Sequence, residues 1–364
     1  MQKTVILLYP NLSNDGIKKN VILHYKLLSK VFNTVIITNS TKLIIKNKNI
    51  INPRKKIFEI NKFLNYVYCI FKLYTKFYKE RSLIIISFDE SSLLIFINYI
   101  FFKKKIVIRT SNPIYNPLNK EEFKYFKKKF FFQYFKLYFY KFADLIWTFS
   151  KNNKLYLKNN FNVKNIKIIS NIFEKKKLNK KKKLTINKKK YFDIFFIGRL
   201  IDIKDPIFIF KSLEKILISK KIRIFYVGEG KLAKKIIILS SKYKKNIFYL
   251  GFKKNPFKEL KNKIHLFCLS SKIDGSPNVL GEAIAYGIPC LAPKGIGLSD
   301  TLLLNNRGGY LYKHQDNNDF MKKIVHIQEN YKEAIRKSYK ANQDIAKYSY
   351  KIVINKLISA IKKL

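Results

Sequence analysis

The sequence predicts an α/β protein of two domains, and three observations carry that reading. Short runs rich in Ile, Val, Phe and Tyr alternate with longer segments of helical period, the pattern of a parallel sheet wrapped by helices. The 364 residues, 47% of them apolar, suffice for two separate cores. One stretch, Lys175 to Lys190, is so rich in lysine and so poor in apolar side chains that it can enter neither core. Residues 174–190 therefore read as a linker between an amino-terminal domain, 1–173, and a carboxy-terminal domain, 191–344, with 345–364 as a closing helix.

Composition narrows the function classes. Lys and Arg total 75 against 23 Asp and Glu, a net charge of +52. Such a surplus suits nucleic acid or an anionic membrane. Lys, Ile, Asn, Phe and Tyr are abundant together, however, and all have codons rich in A and T, so much of the charge reads as mutational drift. The lysines are spread along the chain and no nucleic-acid module occurs, so no nucleic acid is expected as a partner. Cys69, Cys268 and Cys290 are odd in number and far apart, which suggests a reducing compartment, no disulfide framework and no zinc site. The opening MQKTVILLYP is broken by Pro10 too soon for a signal peptide, and the longest apolar run, Leu93 to Phe102, is too short to span a bilayer.

In the first half, Thr4 to Tyr9 reads as a buried strand, followed by a turn bearing Asp15-Gly16 and a helix from about Ile17. A glycine turn at that point is where α/β folds place phosphates, so Gly16 is either a donor contact or a plain turn. Val31 to Thr38 and Leu83 to Phe88 read as further strands, with a helix from Asn61 to Lys79 that puts Phe63, Val67, Ile70, Phe71, Tyr74 and Phe77 on one side. Lys105 to Arg109 is a strand whose carboxyl end carries Arg109, a scarce residue type here; it is placed either in a ligand cleft or at the surface as an ordinary charge. The segment Asn119 to Ala143 opens with a capping-box pair, Asn119 and Glu122, and is crowded with Phe, Tyr and Lys. It reads either as a wide core stripe or as a helix resting on an anionic membrane, and the consecutive Phe130, Phe131 and Phe132 are awkward to bury together. LIWTFS and Val163 to Asn171 supply the last strands of this half.

The second half restarts with the strand FDIFFIG, which is followed by Arg199 and Lys204. Arg223 to Val227 leads into Gly228-x-Gly230, a weak dinucleotide fingerprint with no acid after the next strand, which ends at Leu250-Gly251-Phe252. Gly228 and Gly230 therefore read as permitting a close backbone approach or as a structural turn. From Asn318 to Leu364 the chain reads as helical, with Ile354, Leu357 and Ile361 on one face.

The most informative stretch runs from Ser270 to Pro289, SSKIDGSPNVLGEAIAYGIP. Ser276 is placed as an N-cap with Pro277 at the first helical position, and Gly287 ends a helix of about ten residues. The N–H groups of Asn278, Val279 and Leu280, together with the helix dipole, form an anion site. Asp274 and Glu282 flank it. A phosphate held between two acids suits a ligand with hydroxyl-rich groups on both sides of it, such as a nucleotide sugar.

This stretch resembles the signature of family 4 glycosyltransferases, Glu-Gly-x-Pro-Asn-x-x-x-Glu followed by a small-residue helix and Gly-x-Pro. Asp274, Gly275, Pro277, Asn278, Glu282, Ala283, Gly287 and Pro289 match at the family's spacing, with Asp274 in place of Glu. The Gly198-Arg199-Leu200 and Lys204 element, the Gly228 turn and Gly251 are also similar to the family's, and Asp300 stands where the family often has Glu. The resemblance implies the GT-B fold, two Rossmann-like domains facing across a cleft, with the second half handling the donor and the first choosing the acceptor.

It further implies a retaining, metal-independent hexosyltransferase of the bacterial surface-polysaccharide type, with a nucleotide diphosphate sugar, UDP-linked, as co-substrate and no other cofactor. Arg199 and Lys204 would hold the diphosphate, Asp274 the sugar hydroxyls and Glu282 the ribose. Gly16, Arg109, Gly198, Gly228, Gly230, Gly251, Gly275, Ser276, Pro277, Asn278, Val279 and Leu280 would line the donor. His24, His265, His314 and His326 match no catalytic position. The acceptor expected is a saccharide or lipid-linked saccharide at the inner face of the plasma membrane, with the chain cytoplasmic and peripheral there. The alternative is a GT-B protein that has lost catalysis and binds membrane or nucleic acid through its basic surface.

Overall fold

The computed structural model describes residues 3–10, 16–38, 49–51, 62–88, 92–110, 130–178 and 191–364. The chain divides into two compact units, Met1–Ile172 with Lys351–Leu364, and Phe173–Tyr350. The capping-box pair Asn119 and Glu122, and positions 179–190 of the expected linker, lie outside the described residues.

Unit 1 is built on the strands β1 (Thr4–Leu8), β2 (Asn33–Ile37), β3 (Ile50–Ile51), β4 (Leu83–Ser87), β5 (Lys105–Arg109), β6 (Leu145–Thr148) and β7 (Ile166–Ile168). They pair in parallel in the order β3-β2-β1-β4-β5-β6-β7. The helices between them are α1 (Gly16–Leu28), α2 (Lys62–Phe77), α3 (Ser92–Ile97), α4 (Phe130–Phe139) and α5 (Lys151–Phe161). Successive side chains of a strand point to opposite faces, and here both faces are covered. Val5 and Leu7 pack with Val21, Tyr25 and Leu28 of α1, while Ile6 and Leu8 pack with Tyr66, Ile70 and Leu73 of α2.

One sequence reading changes in this unit. The buried stripe of α2 is Tyr66, Cys69, Ile70, Leu73 and Tyr74, while Val67 and Phe71, expected beside Ile70, are 41% and 60% exposed. The apolar arc of this helix, opposite Lys72 and Lys76, is wider than the face its neighbours cover, so periodicity alone could not choose which part of it turns inward. The run Leu93 to Phe102 is α3 continued by a π-helical turn, Asn98–Phe102, stopped where Lys103 takes the left-handed conformation. Among the described residues no helix is long and apolar enough to cross a membrane.

Unit 2 holds β8 (Phe192–Ile197), β9 (Ile222–Val227), β10 (Ile247–Tyr249), β11 (Leu266–Cys268), β12 (Cys290–Pro293) and β13 (Tyr310–Tyr312), again all parallel, in the order β10-β9-β8-β11-β12-β13. Its helices are α6 (Pro206–Leu213), α7 (Ala233–Lys242), α8 (Pro256–Leu260), α9 (Asn278–Ala285), α10 (Ser299–Leu302), α11 (Asn317–Glu329) and α12 (Tyr331–Asp344). The tail read as helical from Asn318 is therefore interrupted, at Asn330 and again by a 3-10 turn over Ile345–Tyr348. The last helix, α13 (Tyr350–Lys362), sends Val353, Ile354, Leu357, Ala360 and Ile361 into the core beneath β1 and α1.

Each sheet winds outward from its first strand and then restarts on that strand's other side, so β1 lies beside β4 and β8 beside β11. At such a switch point the loops leaving two neighbouring strands diverge and leave a crevice at their carboxyl ends. Both sheets thus have the Rossmann-like form.

Candidate functional site

In unit 2 the crevice lies between the loops that follow β8 and β11. The first carries Gly198, Arg199 and Lys204, and the second carries Ser270 to Pro277 before α9 opens. The two loops are latched together. The Lys204 ammonium pairs with the Asp274 carboxylate, and the reciprocal pair, Lys272 Nζ to Asp205 Oδ2, is 3.5 Å apart. Ser270 Oγ donates to the Lys204 carbonyl at 3.0 Å, and the Lys272 N–H donates to the Ile203 carbonyl at 3.0 Å. Asp205 holds the left-handed conformation, φ 42°, that turns the chain from Lys204 into Pro206 and α6. Aspartate tolerates that region better than most residues, and the strain sits directly beside the cation.

Lys204 and Asp274 are 23% and 11% exposed, so their charges interact with little screening from solvent. Arg199 is exposed on the same loop, and among the described residues its guanidinium makes no hydrogen bond. Gly275 and Ser276 are half-buried and Pro277 is buried. Gly297, φ 56°, presses on this loop from the far side. A Cβ there would lie 2.6 Å from the Asp274 carbonyl oxygen and 2.8 Å from that of Gly275. Its neighbour Gly295 donates its N–H to Asp300 Oδ2 at 2.6 Å, which is what Asp300 does in the fold.

The helix α9 differs from the expectation at its start. Pro277, not Ser276, is the N-cap, with φ −68° and ψ 95°, and its ring offers no capping side chain. The Leu280 N–H, expected to face a ligand, donates instead to the Pro277 carbonyl at 3.1 Å. The Leu280 N–H is therefore taken up within the helix's first turn and does not face a ligand. The far end of α9 is fixed by residues that the motif does not include. The Asn342 amide donates to the carbonyls of Ile284 (3.1 Å) and Ala285 (2.8 Å), and the Lys176 N–H donates to Ala285 at 3.0 Å. Phe173 lies so close to Gly281 that a Cβ would come within 2.4 Å of its ring. Asn342 carries no sequence signal for this role, since it acts across 57 residues. Glu282 is half-buried, one turn before Tyr286. Partial burial, and then the charge of Glu282, raise the pKa of the Tyr286 hydroxyl.

The glycines at the strand ends form a second layer of the same rim. Gly198 N donates to Val227 O (3.0 Å), and Gly228 N donates to Gly251 O (2.8 Å). At Gly228, φ 142°, a Cβ would sit 1.9 Å from the Gly198 carbonyl oxygen; at Gly230, φ 152°, it would sit 2.4 Å from that of Leu200. The close backbone approach at both is thus to the turn after β8. Gly251, φ 64°, has nothing within 4 Å of its Cβ position.

The expected sites of unit 1 fare differently. Gly16 begins α1, and the turn before it, residues 11–15, lies outside the described residues. Arg109 is neither at a ligand surface nor at an ordinary one: it is 2% exposed. Its guanidinium carbon lies 5.0, 5.1 and 4.8 Å from the ring centres of Phe88, Trp147 and Phe149, and its Nη2 donates to Asn171 Oδ1 at 2.8 Å. Cation–π contact replaces the hydration that burial removes. His24 is fully buried in the same layer, and burial, with the Arg109 charge adding, lowers its pKa to about 3. It is a neutral interior side chain.

Residues 175–351 match the family model described as glycosyl transferases group 1. An uncharacterised glycosyltransferase of Methanocaldococcus jannaschii is 29% identical over 269 residues, which are 69% of this chain and 64% of that protein's length. Among solved structures, HepE of Anabaena in complex with UDP superposes with a TM-score of 0.74 at 12% identity, covering all of both chains. The lipopolysaccharide outer core galactosyltransferase WaaB superposes at 0.71 with 15% identity, again over all of both. The chain thus has the GT-B fold, and its second unit is similar in sequence to the group 1 glycosyl transferases.

Proposed function

We propose that the chain is a retaining glycosyltransferase that moves a hexosyl group from a UDP-sugar to a saccharide or lipid-linked saccharide. The observation that carries this reading is the latch at the unit 2 switch point, where Lys204 and Asp274, 70 residues apart in sequence, pair immediately before the mouth of α9. Breaking a sugar–phosphate bond leaves extra negative charge on the diphosphate, and fixed donors must meet it. Lys204 and Arg199 supply cations, and the positive end of the α9 dipole adds to them. The diphosphate takes Lys204 from Asp274, whose carboxylate then accepts from sugar hydroxyls. Glu282 accepts from the ribose. The leaving phosphate takes the acceptor's proton, so the chain supplies no separate general base, and Lys204 with Arg199 meets the diphosphate charge in place of a metal. The UDP complex of HepE supports uridine diphosphate as the carrier, and the name of WaaB supports an acceptor in surface-polysaccharide assembly.

Replacing Glu282 by Ala should lower transfer about tenfold, the loss expected from about 1.4 kcal/mol of transition-state binding. Product analysis on the wild type should show the sugar on the acceptor. Free sugar as the sole product, or unchanged turnover in the variant, would remove the assignment.

For location we propose peripheral contact with an anionic membrane through unit 1. Side chains 130–133 lie outside the described ones, but α4 beyond them shows both halves of its character. Leu137 and Tyr140 are buried, while Tyr134, Phe135, Tyr138 and Phe142 are exposed. Tyr99 of the π-helical turn lies 4.9 Å from Phe142, and Phe96 and Phe101 are exposed on the same α3 and π-turn segment. Lys141 stands 3.6 Å over the Tyr138 ring. A broad aromatic surface interleaved with lysines matches a headgroup layer. The protein should float with phosphatidylglycerol-containing vesicles, the more weakly the higher the salt. Phe101→Ser with Phe135→Ser should at least halve the bound fraction, and full binding by that variant would leave the lysines as the sole cause.

A further inference from the structure

Away from the latch, unit 2 carries a second basic concavity. A cavity of about 550 Å³, within the size range of small-ligand pockets, is lined by Asn306, Arg307, Glu333, Arg336, Lys337 and Lys340. Glu333, Arg336, Lys337 and Lys340 share one face of α12 by their three- and four-residue spacing. Arg307 comes from the turn after α10, where Leu304, Asn305 and Asn306 all take positive φ, 54°, 50° and 74°. That turn is fixed by its own bonds. The Asn305 N–H donates to the Asp300 carbonyl at 2.7 Å, Asn306 Oδ1 accepts from the Leu311 N–H at 3.0 Å, and Arg307 Nε donates to the Leu304 carbonyl at 3.2 Å.

The charges there are not balanced. Glu333 is engaged by Lys337 at 3.3 Å, and the same ammonium lies 4.1 Å over the ring of Tyr310. Among the described residues, Arg307, Arg336 and Lys340 have no carboxylate partner, so three cations face the cavity uncompensated. The residue type is as telling as the charge. Only seven of the 75 basic residues of this chain are arginine. Two of the others hold positions that use a planar guanidinium: Arg223 forks onto Asp193 at 2.6 and 2.8 Å, and Arg109 stacks among aromatic rings. Two more of the seven meet in this one cavity. A pair of forks suits the paired oxygens of phosphoryl groups, which a lysine meets only as a point charge.

We propose that this cavity binds a soluble anion bearing two or more phosphoryl charges, at a site separate from the latch. The large exposed hydrophobic residues of unit 2, Ile218, Ile237, Ile238, Phe252 and Tyr350, do not line it, so it offers a membrane nothing to insert. Tyr310 is 3% exposed, so no ring is free to stack a base, as single-stranded nucleic acid requires.

The test is calorimetric titration with pyrophosphate at physiological salt, on four forms of the full chain. The wild type should bind at this site. Arg307→Gln with Arg336→Gln should weaken that binding at least tenfold, and Arg307→Lys with Arg336→Lys at least threefold although the charge is kept. Arg199→Gln with Lys204→Met should leave it intact while removing any binding at the latch, so the two sites succeed or fail separately. Both arginines are exposed, and unchanged melting would show the folds intact. Equal affinity in the double glutamine variant, equal affinity in the double lysine variant, or displacement of pyrophosphate by a short single-stranded RNA at lower concentration than by phosphate would each overturn the proposal.

Discussion

Lys204→Met should lower kcat/KM for sugar transfer about a hundredfold, the cost of removing one fixed donor from a developing oxyanion. Two effects add. The diphosphate loses a cation that the latch holds beside the mouth of α9, and Asp274, 11% exposed, is left without its partner. A carboxylate freed there repels the same diphosphate, so UDP affinity should fall together with turnover. Lys204→Arg separates charge from placement. The guanidinium restores the cation but is a planar fork where the latch holds a compact ammonium, so recovery should be partial. Steady-state kinetics with UDP-sugar, read beside UDP binding, decide the matter. Wild-type kcat/KM in Lys204→Met would mean that the diphosphate lies elsewhere.

The parts of this site differ in how legible they were. Strand positions in unit 2 followed from runs such as FDIFFIG because a buried parallel strand needs apolar residues on both faces. The Asp274–Glu282 motif was readable because its spacing is local. The pairing of Lys204 with Asp274 depends on β8 lying beside β11, which is a matter of sheet order rather than of either segment. Position 276 misled because Ser before Pro satisfies the usual cap preference, whereas the proline ring fixes φ alone and leaves ψ of Pro277 free to take 95°. Arg109 misled for a different reason. A charge at a strand's carboxyl end reads as a ligand contact, and only the assembled layer of Phe88, Trp147 and Phe149 provides the interior that accepts it. The scarcity of arginine was visible from the start; that Arg307 and Arg336 share a cavity was not.

Gly228→Ala should cost unit 2 about 3 kcal/mol or more, measured by denaturant unfolding, because both available escapes are closed. The new methyl would meet the Gly198 carbonyl oxygen at 1.9 Å, and a backbone group cannot rotate aside as a side chain can. Moving Gly228 instead would break its N–H bond to the Gly251 carbonyl and with it the alignment of three strand ends. Gly251→Ala is the matched control. It also places alanine at positive φ, 64°, but into open space, so only the conformational cost of about 1–2 kcal/mol remains. The comparison distinguishes two uses of a Gly-x-Gly turn. A glycine kept for ligand approach predicts a stable variant with weak nucleotide binding. One kept for packing between turns predicts that the Gly198–Leu200 turn shifts first, carrying Arg199 with it, so donor binding is lost because the strand ends have parted.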